Sequence, residues 1–295
     1  MIKAILQSNG WMYVEASLGG GKNFKGYVSG ELIQPNQAGT IAKPATTSSK
    51  GSSTATLGTK SQPGLKVIPC RSLPHQLFHR PGGAGGGPDF THADHPTLSR
   101  GDAAMVALAR RMSNEGLMSD MRFELNVLGG SEGRRMVDHF AKGNGVPLTH
   151  LANSPIGSRA LKAPSFITMR NTAETNLEHQ LSRMAASGTV DCNALVLPAS
   201  AVPWLSFPLS DSRMLKAIIG GTQGHTIWLT GLTIDPNART YSMQLRYLIR
   251  DDFGVDASDL YTPGLIAFWV LQHERTGFVP FQNIIDLTVT RNGKF

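Results

Sequence analysis

From Pro35 to Arg100 the chain is dominated by Gly, Ser, Thr, Pro and Ala, with runs such as Thr46-Thr47-Ser48-Ser49-Lys50-Gly51-Ser52-Ser53 and Pro81-Gly82-Gly83-Ala84-Gly85-Gly86-Gly87-Pro88. Such a stretch carries too little apolar surface to offset the entropy of ordering it, and a structureless segment that long is not expected inside a compact domain. It reads as a disordered tether over 35–100 that separates a short fragment, 1–34, from a larger unit, 101–295. A total of 295 residues exceeds the usual single-domain length of about 100–200 and agrees with two units.

The fragment has the pattern strand, turn, strand. Ile2–Leu6 and Trp11–Ala16 flank Ser8-Asn9-Gly10, and Gly26–Ser29 follows Gly19-Gly20-Gly21, so β-branched and aromatic runs alternate with turn residues. After Arg100 the periods change. Asp102–Met112, Ser131–Lys142 and Glu174–Met184 have helical spacing of apolar residues, and Gly143-Asn144-Gly145 stops the second. His225–Thr230 and Thr240–Ile249 flank Asp235-Pro236-Asn237 and should pair as an antiparallel hairpin. In the second of these Tyr241, Met243, Leu245, Tyr247 and Ile249 alternate with Thr240, Ser242, Gln244, Arg246 and Leu248, giving one buried face and one polar face on which a site could lie. Leu265–Arg275 is apolar until Gln272 and should be buried as a helix or strand, and Asn283–Thr290 is the last strand. The expected class is α+β: a mostly antiparallel sheet with helices on one side, preceded by a β fragment and a tether.

The net charge of +7 is spread along the chain, which gives no nucleic-acid footprint. Met1–Leu6 is too short for a signal-peptide core and no run approaches the ~20 apolar residues of a spanning helix, so secretion would use a route that reads no N-terminal signal. Two cysteines exclude a disulfide-rich scaffold and leave the redox compartment open; with Cys70 in a tether, a bridge to Cys192 is not the expectation.

The densest chemistry is Arg250-Asp251-Asp252-Phe253-Gly254-Val255-Asp256-Ala257-Ser258-Asp259. Four carboxylates within nine positions make either a metal site or a turn rich in capping Asp, with Ser258 or Asp259 available to cap the next segment. The spacing is not that of an EF-hand. In the metal reading Asp252, Asp256 and Asp259 hold Mg²⁺ or another divalent cation, His273 acts as general acid or base, and Arg246 binds a phosphate or carboxylate. In the alternative, His273 is a helix-end histidine bonded to a backbone carbonyl. His225 is a candidate second ligand after a Gly-rich stretch, Gly220–Gly224, that reads as a tight turn, His139 reads as a core residue, and the tether histidines His75, His79, His92 and His95 have pairs at zinc-ligand spacing broken by a glycine run. The chain carries no dinucleotide fingerprint.

Two resemblances follow from these residues. Asn9-Gly10-Trp11-Met12-Tyr13-Val14 and Gly26-Tyr27-Val28-Ser29-Gly30-Glu31-Leu32 resemble the second half of a bacterial SH3-like domain. That likeness implies a truncated barrel or one completed by a partner, and a cell-wall ligand met by Trp11, Tyr13 and Tyr27. Leu245–Asp256 with Asp259, Phe268-Trp269-Val270-Leu271-Gln272-His273, Pro280-Phe281, and Asp138-His139-Phe140 before Gly143-Asn144-Gly145 resemble a bacterial toxin-associated family catalogued as domain of unknown function 3289. Its members occur in polymorphic toxins and beside type VI secretion. The resemblance implies an antibacterial effector for interbacterial competition, made in the cytoplasm and secreted to act in the target cell's periplasm. It also implies a cognate immunity protein and a secretion-apparatus carrier.

A fainter similarity is to the colicin M family, which cuts lipid-linked peptidoglycan precursor with magnesium, although its Asp-Tyr-Asp spacing and His-Arg pair are not reproduced here. The expected function is hydrolysis of peptidoglycan or that precursor in the cell envelope. The alternatives are a membrane-disrupting toxin that inserts Ile266–Leu271 and a non-toxic cell-wall-binding module.

Overall fold

The computed structural model describes residues 2–8, 11–18, 22–29, 64–81, 98–143, 145–255, 259–260 and 262–295, the first three segments by their backbone alone. The chain divides into two units, Met1–Ser61 and Gln62–Phe295. In the first, β1 (Ile2–Ser8), β2 (Trp11–Leu18) and β3 (Lys22–Ser29) form an antiparallel meander in the order β1-β2-β3. Tyr13 stands opposite Tyr27, and a register shift lies between Ala4 and Leu6 of β1.

The second unit begins earlier than composition suggests. Two strands, β4 (Lys66–Ile68) and β5 (His75–Arg80), lie within the stretch expected as tether. Leu77 and Phe78 are buried, and β5 forms one edge of a five-stranded sheet in the order β5-β8-β9-β10-β6. In that sheet β8 (Gly224–Asp235), β9 (Thr240–Phe253) and β10 (Phe281–Lys294) are antiparallel, and β6 (Leu148–Leu151) pairs in parallel with β10. The fold is thus α+β with a mixed sheet. Meanwhile β4 pairs in parallel with β7 (Thr189–Asp191), beside the disulfide that joins Cys70 to Cys192 at a Cα separation of 4.8 Å. The expectation of an unpaired Cys70 is thereby corrected, because β4 fixes the segment from which it projects.

Among the described residues, six helices accompany the sheet. These are α1 (Arg100–Ala109), α2 (Asn114–Lys142), α3 (Pro155–Lys162), α4 (Pro164–Ala186), α5 (Arg213–Ile218) and α6 (Pro263–Glu274). Five start on a hydroxyl that accepts a backbone N–H: Ser99, Ser113, Ser154, Ser212 and Thr262. Thr262, not Ser258 or Asp259, caps α6, and Pro263 at its first position suits the fixed backbone there. Helix α2 breaks at Gly130, whose φ of 61° and ψ of −142° are open to glycine alone. The following turn then closes on the preceding one, and a Cβ at Gly133 would sit 1.9 Å from the Leu125 carbonyl oxygen.

Helix α6 is apolar on every side and Ile266 to Leu271 are all buried. Phe268 packs against Phe140 of α2 with ring centroids 4.6 Å apart and against Phe253 of β9 at 5.0 Å. From the same face of β9, Tyr247 meets Phe166 of α4 at 5.4 Å. One polar network crosses this core. His150 of β6 donates from Nε2 to Asn283 Oδ1 of β10 at 2.9 Å, Arg135 of α2 donates to His150 Nδ1 at 3.2 Å, and Asn283 Nδ2 donates to the Ile218 carbonyl at 3.2 Å. Arginine can only donate, so the His150 ring is neutral, and burial pushes its pKa down in the same sense.

The Cys70–Cys192 bridge spans 122 residues, so chain entropy makes it a large contributor. Replacing both cysteines by serine should lower unfolding stability by roughly 3–5 kcal/mol, read from denaturant midpoints of the full chain with and without reductant.

Candidate functional site

The alternation of β9 divides its side chains between two environments. Tyr241, Met243, Leu245, Tyr247 and Ile249 are buried beneath the helices, whereas Arg246, Leu248 and Arg250 lie half exposed on the opposite face. Neighbouring strands extend that second face by register. Trp228 and Thr226 come from β8, Gln76 and His79 from β5, and Gln282, Ile284, Asp286 and Thr288 from β10.

Arg246 donates from Nε at 2.8 Å and from Nη2 at 2.6 Å to the two carboxylate oxygens of Asp286. The carboxylate that the sequence assigns to Arg246 is thus an internal one, and the fork geometry fits it. Further along, Arg250 Nη1 donates to Thr226 Oγ1 at 3.4 Å, His79 Nδ1 lies 3.0 Å from the same oxygen, and Gln282 Nε2 donates to Asp252 Oδ1 at 3.5 Å. The face is a band of paired polar groups.

The remaining site residues separate. Asp252 is buried at the end of β9, Asp259 is half-buried in the loop that follows, and Asp256 lies outside the described residues. His273 is buried in the last turn of α6, where Nδ1 donates to the Trp269 carbonyl at 3.0 Å and Gln272 Nε2 sits 3.3 Å from Nε2. Its ring also stacks on Trp269 at 4.5 Å. This is the helix-end histidine of the alternative reading. Gln272 meanwhile exchanges two hydrogen bonds with the Val255 backbone, at 2.9 and 3.2 Å, tying the loop after β9 to α6. Among the described residues no group of three or more His, Cys, Asp or Glu is placed to hold a metal ion. Trp11, Tyr13 and Tyr27 fall on β2 and β3 of the first unit, where only the backbone is described. His139 donates to the Val146 carbonyl at 2.8 Å and packs edge-on against Phe281, and His92 and His95 lie outside the described residues.

A second group carries no signal that singles it out in the sequence. Glu174 and Glu178 stand one turn apart on α4, beneath Tyr241 and Tyr247 of β9 and Arg291 of β10. Tyr241 donates to Glu178 Oε1 at 2.5 Å and Arg291 Nε donates to the same oxygen at 2.7 Å, while Arg170 Nε stands 3.5 Å from Glu174. Burial pushes the Glu174 pKa up, against the pull of Arg170 and Arg291. For Glu178, burial is outweighed by hydrogen bonds from Arg291 and Tyr241, and the pKa goes down. The two carboxylates thus sit in environments that push their protonation in opposite directions. Glu at i and i+4 on a helix is too common a pattern to stand out before β9 supplies the tyrosines.

His225 on β8 is 1% exposed. Thr222 Oγ1 gives its only hydrogen to the Leu205 carbonyl at 2.5 Å, so His225 Nε2, 2.6 Å from the same oxygen, must be the donor. Nε2 therefore carries a hydrogen, and in the neutral ring that burial favours the lone pair is on Nδ1. Burial, aided by the charge of Arg80, lowers its pKa from 6.5 to about 4.

The chain matches no family model, no curated protein and no solved structure.

The depressed pKa of His225 has a definite sign in stability. Between pH 6.5 and about 4 the unfolded chain binds a proton that the folded chain refuses. Stability present above pH 6.5 should therefore fall by roughly 3 kcal/mol as the pH drops to about 4. Urea unfolding at pH 7, 5.5 and 4 checks this, and His225→Asn should flatten that part of the profile.

Proposed function

We propose that the chain is a secreted antibacterial effector whose globular unit acts in the envelope of a target cell, on peptidoglycan or its lipid-linked precursor. The observation that carries this reading is the Cys70–Cys192 disulfide, which ties the segment between β4 and β5 to the turn after β7. Disulfides form and persist in oxidising compartments such as the periplasm and the cell exterior. The resemblance of the motifs Leu245–Asp256, Phe268–His273 and Asp138–Phe140 to a toxin-associated family is the sequence argument for the same reading. A cognate immunity protein and a secretion-apparatus carrier are the partners the reading requires.

Of the chemistry the unit can offer, the Glu174 and Glu178 pair suits glycoside hydrolysis, in which one carboxyl donates a proton and an ionised one acts as base or nucleophile. The magnesium reading would place Asp252, Asp256 and Asp259 around the cation. His273 fits poorly as its acid or base, because its Nδ1–H is committed to the Trp269 carbonyl. Insertion of α6 into a membrane has less support, since Ile266 to Leu271 form the centre of the core. Among the described residues, no helix is long and apolar enough to cross a membrane. A non-catalytic cell-wall-binding module is the second reading, favoured by the closed Arg246–Asp286 pair on the open sheet face.

The test uses the full chain, because β5 and Cys70 belong to the globular unit. Expressed in a bacterial host, it should arrest growth when exported to the periplasm and not when kept in the cytoplasm. Glu174→Gln should reduce the release of soluble wall fragments at least tenfold while the protein stays folded. Arrest from the cytoplasm would overturn the envelope reading, and no arrest from either compartment would leave the binding module.

A further inference from the structure

We propose that Arg80, His225 and Trp204 form a binding site for an amide group, carried by an N-acetylated sugar or by a peptide of the cell wall. Arg80 and His225 face one another in register across β5 and β8, at the sheet edge. The Arg80 guanidinium is held between two rings, 5.2 Å from the centroid of Phe78 and 4.9 Å from that of Trp204, and Nη2 donates to the Val202 carbonyl at 3.1 Å. Its other terminal nitrogen, Nη1, is buried and has no acceptor among the described residues. His225 Nδ1, which keeps its lone pair in the neutral ring because Nε2 holds the hydrogen given to Thr222, is likewise buried and has no partner among them.

A buried donor and a buried acceptor left unpaired are each unfavourable, and on residues paired across neighbouring strands they point to a group that completes both. An amide does so, since its carbonyl accepts from Arg80 and its N–H donates to His225. A carboxylate or phosphate does not, because it would satisfy Arg80 and set a second acceptor against Nδ1. Burial keeps the imidazole neutral at neutral pH, so the acceptor persists. Above the pair lies Trp204, 60% exposed and 5.7 Å from the His225 ring. With most of its surface in solvent the indole can lift to admit a ligand and then stack on a pyranose or a peptide plane.

The inference rests on the envelope reading only for the identity of the amide carrier, and its test is independent of killing. Binding to the folded, disulfide-bonded full chain would be measured calorimetrically with three probes: N-acetylglucosamine trimer, glucosamine trimer, and diacetyl-Lys-D-Ala-D-Ala. At least one amide-bearing probe should bind, and glucosamine trimer should bind at least tenfold more weakly than that probe. Trp204→Ala, at an exposed position, and His225→Phe should each weaken the bound probe at least tenfold. The preferred probe tells sugar from peptide. Failure of both amide probes, equal binding of glucosamine trimer, or wild-type affinity in Trp204→Ala overturns the site. Should both amide probes fail while periplasmic killing persists, the site falls and the envelope reading stands; binding without killing upholds the site and removes the toxin reading.

Discussion

Strand β9 is paired along its length with β10 and nearly as far with β8, and a strand fixed on both sides has no freedom to slide. Shifting it by one residue would bring Arg246 and Arg250 under the helices and put Tyr247 and Ile249 into water. Everything else is arranged around the face this register buries. Helix α6 can be apolar all round because β9, α1 and α2 enclose it, and α4 lies where Tyr241 and Tyr247 emerge. The polar network through His150 and Asn283 then fastens β6 and α5 to the same sheet.

The register also determines where chemistry is available. On the open face Arg246 and Asp286 are half-buried and neutralise one another. Groups on the helix side are buried, where a charge is costly unless a partner meets it. Burial of this kind shifts the ionisation of Glu174, His150 and His225, and at Glu178 it is outweighed by the partners that meet the charge. Among the described residues, the unpaired donor and acceptor that stand opposite each other, at Arg80 and His225, are at the edge strand, where β5 ends and Trp204 closes over them.

Much of this is legible in the sequence. The alternation in Thr240–Ile249, the hairpin around Asp235-Pro236-Asn237, the helix from Ser131 to Lys142 and the buried run after Leu265 all occur as read, because each carries its own period or its own punctuation. Strands β4, β5, β6 and β7 are not legible, being three to six residues long with no period of their own. Strand β5 is held by pairing with β8 and by burial of Leu77 and Phe78, and composition averaged over a Gly-rich stretch conceals so short an apolar pair.

By itself, the sequence determined the class of fold, the main antiparallel strands and the central helices, since hydrophobic period and turn chemistry act over neighbouring residues. The tertiary structure decided that Cys70 meets Cys192, that Glu174 and Glu178 stand against Tyr241, Tyr247 and Arg291, and that Arg80 faces His225. It also decided that Arg246 is paired and His273 enclosed. These contacts join residues from 40 to more than 120 positions apart, apart from the helix-internal setting of His273. No local period encodes such distances; they follow from which face of each element is driven out of water.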